Sequence, residues 1–119
     1  MLNAFGKWLR KFRIDNGLLL RDMAGTLDVS SAFLSSIETG RKSIPDGIVG
    51  KICDRYRLDD EARISLNEAV EGSVSKLSLD LSKVNTKDRC LVCTFAKRFP
   101  DLSPEDKVEI LKILSKAGD

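Results

Sequence analysis

The sequence predicts an all-α chain, and three features carry that expectation. Apolar residues recur at helical spacing through most of the first 71 residues. Residues that stop or start helices, among them Gly17, Ser30, Gly40 and Pro45, separate those segments. Only one short stretch, Val74 to Leu81, alternates with the period of a strand. The expected layout is a five-helix domain over residues 1–71, followed in residues 72–119 by a short extended strand and a C-terminal helical hairpin.

The first helix is expected from about Asn3 to Asn16, with Phe5, Trp8, Leu9 and Phe12 inward and Lys7, Arg10 and Lys11 on a solvated face, one of them within reach of a polyanion. Gly17 ends it, because a helix often closes on a left-handed residue that glycine adopts without strain. Leu20, Met23, Ala24 and Leu27 fall at offsets 0, 3, 4 and 7, one face of a second helix. Asp28 and Val29 form a tight turn. Ser30 stands where its side-chain oxygen caps the free amides of a third helix, whose inward contacts are Phe33, Leu34 and Ile37 and which Gly40 stops.

After the basic loop Arg41-Lys42-Ser43-Ile44, Pro45 suits the first turn of a fourth helix, about Asp46 to Tyr56, with Ile48, Val49, Ile52, Cys53 and Tyr56 inward. Gly47 and Gly50 within that span cost roughly 1 kcal/mol each against alanine, so packing has to hold it. The carboxylates of Asp59, Asp60 and Glu61 favour a helix amino terminus there, and a fifth helix follows to about Val70, with Leu66, Ala69 and Val70 inward.

At Arg13, Gly17, Ala24, Val29-Ser30, Leu34 and the closing run Ile37-Glu38-Thr39-Gly40-Arg41-Lys42, the chain resembles the lambda-repressor-like helix-turn-helix family, whose Cro and XRE members are bacterial and phage transcriptional regulators. The resemblance implies an internal salt bridge between Arg13 and Glu38. It implies base contacts from Ser31, Ala32 and Ser36, with Phe33 and Ser35 next in line, and phosphate contacts from Arg21, Thr39, Arg41 and Lys42. It implies double-stranded DNA as partner and a homodimer reading two half-sites. Three positions depart from the pattern: Leu19 stands where a Thr or Ser cap is common, Leu20 where a phosphate-gripping Gln is common, and Asp28 where the turn usually has Gly. Aspartate tolerates left-handed backbone better than most residues, so the fold is expected to survive.

The 119 residues and 42% apolar content suit an ordinary globular chain with a core. No apolar run approaches the ~20 residues of a membrane helix, no signal-peptide core is visible, and the expected location is the cytoplasm. Net charge is +2, unevenly spread: residues 1–57 hold ten Lys or Arg against six Asp or Glu, and residues 58–119 ten against twelve. The resulting +4 of the first half agrees with a polyanionic partner without requiring one.

Beyond Gly72 the run VSKLSLDL sets Leu77, Leu79 and Leu81 against Ser78 and Asp80. A single strand needs a partner, either the body of its own domain or the same segment of a second copy. Two further helices are expected, Thr86 to Phe99 with Leu91, Val92, Phe95, Ala96 and Phe99 on one face, and Pro104 to Lys116, capped by Ser103, with Val108, Leu111 and Leu114 on one face and Ile110 beside them. Joined by four residues, they are expected to pack antiparallel and to bury their apolar face on the first domain, on another subunit, or on a protein partner such as a toxin or antirepressor.

Chemistry beyond binding finds little support. The chain has three cysteines and no histidine, so Cys53, Cys90 and Cys93 fall short of the four ligands structural zinc wants, and no metal or cofactor is expected. The cysteines read as buried or half-buried apolar side chains, and the spacing of Cys90 and Cys93 as a redox pair lacks its usual strand-helix context. Without a Gly-rich phosphate loop or a serine nucleophile motif, Asp59, Asp60, Glu105 and Asp106 read as caps and solvated faces, and no enzyme is expected. Two classes remain: a sequence-specific DNA-binding regulator of phage, antitoxin or autoregulatory type, and a protein-interaction module on the same scaffold. The second draws on the small side chains Ser31, Ala32 and Ser36, where strong base readers are Arg, Asn or Gln, and on the run Leu18 to Leu20.

Overall fold

The computed structural model describes residues 1–118 and contains, among them, seven α-helices, one 3-10 turn and no strand. The helices are α1 (Ala4–Asp15), α2 (Leu20–Thr26), α3 (Ser31–Glu38), α4 (Ile48–Arg55), α5 (Asp60–Glu71), α6 (Thr86–Arg98) and α7 (Pro104–Lys116), with the 3-10 turn at Phe99–Asp101. They divide into two compact units, Met1–Leu77 and Ser78–Asp119.

In the first unit the core is made by Phe5, Leu9, Met23, Leu27, Leu34, Ile37, Ile52 and Leu66, all fully buried. They come from all five helices, so none of these helices is stable without the others. Trp8 and Phe12 stack at 5.5 Å, and Phe12 meets Tyr56 edge-on at 5.0 Å, extending the core to a half-buried aromatic rim.

Four successive helices end in the same way. After α1, α2, α3 and α4 a residue in left-handed conformation follows the cap, namely Gly17 (φ 65°), Asp28 (φ 60°), Gly40 (φ 79°) and Arg57 (φ 51°). In each case the next amide donates back into the last turn: Leu18 to Arg13 O at 2.8 Å, Val29 to Ala24 O at 3.0 Å, Arg41 to Ser36 O at 2.9 Å and Leu58 to Cys53 O at 3.0 Å. This Schellman closure satisfies carbonyls that a helix end leaves free. Asp28 and Arg57 adopt it at a steric cost that glycine avoids. At Asp28 the Arg55 guanidinium offsets that cost, donating to the Asp28 carboxylate and to the Thr26 carbonyl and so tying α4 to the turn before α3.

Starts are less uniform. Asn3, Ser30, Asp59, Asn85 and Ser103 each accept a hydrogen bond from an amide of the first turn they cap. Leu19 has no oxygen to offer α2, and Asp22 instead reaches back to accept from the Leu19 amide at 2.8 Å. The fourth helix begins two residues later than its proline suggests, because Gly47 turns left-handed (φ 87°) and passes the chain into α4 at Ile48.

The segment from Val74 to Leu81 is not a strand, which corrects the expected layout. It has no partner strand among the described residues, and an isolated extended segment cannot satisfy its own ladder of amides and carbonyls. Leu77 and Leu79 are exposed, at 83% and 65%.

In the second unit Phe95 and Phe99 lie 5.7 Å apart and Lys107 sits 5.2 Å over the Phe99 ring, so the corner between α6 and α7 is lined by Phe95, Phe99, Leu102, Ile110, Leu111 and Leu114. No side chain of α6 or α7 is buried. Cys90 and Cys93 are exposed on α6, against the expectation of burial, whereas Cys53 is buried in the first unit. Two helices that meet only at one corner leave most of their surface in water, so the helical period of α6 does not by itself bury a side chain.

α1 crosses α3 closely at Gly6: a Cβ built there would overlap the Glu38 carbonyl oxygen and lie 2.9 Å from the Glu38 Cβ. Gly6→Ala is therefore expected to cost about 1 to 3 kcal/mol through overpacking. Arg57→Gly, which relieves left-handed strain at an exposed position, is expected to add up to about 1 kcal/mol. Urea unfolding followed by the fluorescence of Trp8, the single tryptophan, measures both, and equal midpoints for the two variants would contradict this packing.

Candidate nucleic-acid interface

Before α3 can present a surface it has to be held, and its carboxyl end is held completely. The last four carbonyls of α3 all have partners: Ser35 O accepts from the Thr39 amide and hydroxyl, Ser36 O from the amides of Arg41 and Lys42, Ile37 O from Asn3 Nδ2 at 3.0 Å, and Glu38 O from the Asn3 amide at 2.9 Å. Asn3 also accepts from the Gly6 amide at 2.7 Å, so one side chain caps the start of α1 and clamps the end of α3. Sequence reasoning missed Asn3 and Gly6. Asn before a helical run is a cap signal, and a glycine inside a helix is a signal of close packing.

Beneath this clamp the guanidinium of Arg13 faces the carboxylate of Glu38 in a two-pronged pair, Nη1 to Oε2 at 2.8 Å and Nη2 to Oε1 at 2.9 Å, with Nη1 also 3.4 Å from the Met23 sulfur. Arg13 is 8% and Glu38 2% exposed. The planar fork of arginine matches both carboxylate oxygens at once, and it joins α1, α2 and α3 at one point.

The opposite side of α3 is open. At 3.6 residues per turn Ser31, Ala32 and Ser35 fall within an arc of about 100°, and all three are exposed. Ser36 lies at the edge of that arc, half-buried, its hydroxyl donating to the Phe33 carbonyl at 2.6 Å. Phe33 is half-buried against the core, with Lys42 Nζ 5.5 Å from its ring centre. Thr39 is half-buried at the helix end, its hydroxyl turned back to Ser35 O and Ser36 O. Arg21, Arg41 and Lys42 are exposed and make no ion pair among the described residues.

The surface thus combines an outward helix face of short side chains with unpaired cations on the helix before it and the loop after it. Such a face can approach a groove closely, since no long side chain holds it off. It offers two hydroxyls and a methyl for direct contact.

No group of three or more potential metal ligands is clustered among the described residues, and no helix is long and apolar enough to cross a membrane. Compared with known families, the chain matches the model described as helix-turn-helix domain over residues 4–66. No curated protein and no solved structure matches it.

Glu38→Ala leaves the Arg13 guanidinium buried without its partner. It is expected to cost about 3 to 5 kcal/mol. Chemical denaturation of parent and variant measures this, and a difference below about 1 kcal/mol would mean that the pair is solvated.

Proposed function

The chain belongs to the helix-turn-helix domain family, and from that membership we propose that it is a sequence-specific DNA-binding transcriptional regulator, a repressor of phage, antitoxin or autoregulatory type, with α3 as the reading helix in the major groove. The observation that carries this is the open face of α3: Ser31, Ala32 and Ser35 exposed together, Ser36 at their edge, and the unpaired cations Arg21, Arg41 and Lys42 on the flanking segments. Phosphate contacts position a reading helix and base contacts specify. In this proposal Arg21, Arg41 and Lys42 do the first, with Thr39 beside them at the helix end. Ser31, Ala32, Ser35 and Ser36 do the second, with Phe33 offering a ring edge to a thymine methyl.

Short readers make each base contact worth little, so part of the discrimination comes from the shape and stiffness of the site. Bases at the centre of the operator that no side chain touches then matter.

We further propose a homodimer through the second unit. Its hairpin buries no side chain, and a segment of about 40 residues without a core of its own usually depends on oligomerisation, a metal or disulfides. Leu91, Phe95, Phe99, Val108, Leu111 and Leu114 are all exposed. A stable interface covers about 800 Å² per partner, and a contiguous apolar face of this kind is what such an interface buries at its centre. The same face suits a toxin or antirepressor, the alternative occupant, and in that case the protein acts as an interaction module.

Two measurements separate these readings. In a binding selection, Lys42→Ala is expected to weaken all sequences alike and to flatten the salt dependence by roughly one unit, while Ala32→Gln changes the preferred sequence. Neither the variants nor the parent binding DNA above background would favour the interaction module. In sedimentation, the full chain is expected to run as a dimer at tens of micromolar and Leu111→Asp as a monomer. A monomeric parent would remove the homodimer.

A further inference from the structure

Beside the end of α3 lies a polar cavity of 450 Å³ that the helix-turn-helix elements alone do not make. One wall is the loop after α3, with Arg41, Lys42 and Ser43; the other is the chain leaving α5, with Ser73, Ser75 and Lys76. The lining contains three cations and a single carboxylate, Asp46. None of the three cations is in an ion pair among the described residues.

The second wall is anchored. The Phe5 amide is in the first turn of α1, where no carbonyl of its own helix is available to it, and it donates to Ser73 Oγ at 2.9 Å. The same hydroxyl donates to Ala69 O at 2.8 Å, and the amides of Ser73 and Val74 continue the turn from Val70 O and Glu71 O. Ser73 thus pins the chain after α5 to the start of α1, which puts Lys76 across the cavity from Arg41 and Lys42.

We propose that this cavity is a phosphate-binding site in which Lys76 and the Ser75 hydroxyl act with Arg41, Lys42 and Ser43. Three cations without an ion pair and a single carboxylate give the cavity a positive potential that attracts an anion, and hydroxyls complete the shell around phosphate oxygens. The volume exceeds a bare phosphate ion and accommodates a phosphodiester or a small phosphorylated molecule. The phosphate belongs either to the DNA backbone beside the reading helix or to a free phosphorylated ligand. The first source rests on the function proposed above; the second does not.

The test uses the full chain, with Lys76→Ala as the variant and Lys83→Ala as the control for loss of charge alone; both lysines are exposed, so folding is kept. One arm measures DNA binding across salt concentrations. The other titrates inorganic pyrophosphate and follows the backbone amides of Ser43 and of Ser73 to Lys76 by NMR. If the source is DNA, Lys76→Ala binds every sequence roughly three- to tenfold more weakly and its salt slope falls by about 0.9, while Lys83→Ala matches the parent. If the source is a free ligand, pyrophosphate moves those amides with submillimolar affinity and Lys76→Ala loses at least tenfold. The site is overturned if Lys76→Ala keeps the parent's DNA affinity and slope and pyrophosphate moves none of those amides. Should the parent bind no DNA at all, the proposed function fails by itself and the pyrophosphate arm alone decides the site.

Discussion

How closely α1 crosses α3 is the constraint on which the amino-terminal unit depends. Gly6 allows the backbone of Glu38 to approach to a distance no side chain would permit, Asn3 bonds the last two carbonyls of α3, and the Glu38 side chain pairs with Arg13, about two turns further along α1. A buried ion pair is not in itself a source of stability, because both charges lose their hydration. Here it supplies direction: a two-pronged pair accepts few geometries, and so sets the rotation of α3 about its axis. That rotation decides which residues look outward. The same constraint that fills the core therefore presents Ser31, Ala32 and Ser35 to solvent.

Much of this was legible in the sequence where a local rule acts alone. Ser30, Asp59 and Ser103 cap the helices their positions suggest, Gly17 and Gly40 end theirs, and the inward stripes of α1 to α5 follow the helical period. Local rules failed where the partner is distant in the chain. Arg57 is left-handed because the closure of α4 requires it, not because arginine favours it. Pro45 signals a helix start, but Gly47 delays it. The alternation of Leu77, Leu79 and Leu81 has the period of a strand, and period alone cannot create the neighbour a strand needs. Cysteine by its type favours a buried or half-buried place, yet Cys90 and Cys93 are exposed because the hairpin that carries them buries no side chain.

The surface divides in the same manner. The outward residues of α3 follow from the helical period once its buried residues are known. Asn3, by contrast, matters to α3 from 34 positions away, and Lys76 shares a cavity with Arg41 and Lys42 because Ser73 returns the chain to the start of α1. Proximity of that kind is produced by packing and has no signature in spacing. The second unit poses the opposite problem: its helices are well capped and its apolar face is plain in the sequence, while its spacing says nothing of what covers that face.

Entry of α3 into the major groove of DNA, proposed above, is best checked by methylation interference on the DNA flanking the protein's own gene. Methyl groups at guanine N7 project into the major groove and adenine N3 methyl groups into the minor groove. N7 methylation is expected to block binding within a short segment in each half-site, and binding is expected to weaken steeply between 50 and 200 mM salt, by roughly tenfold or more. Binding that N7 methylation leaves intact while N3 methylation abolishes it, or no binding at the lower salt concentration, would contradict it.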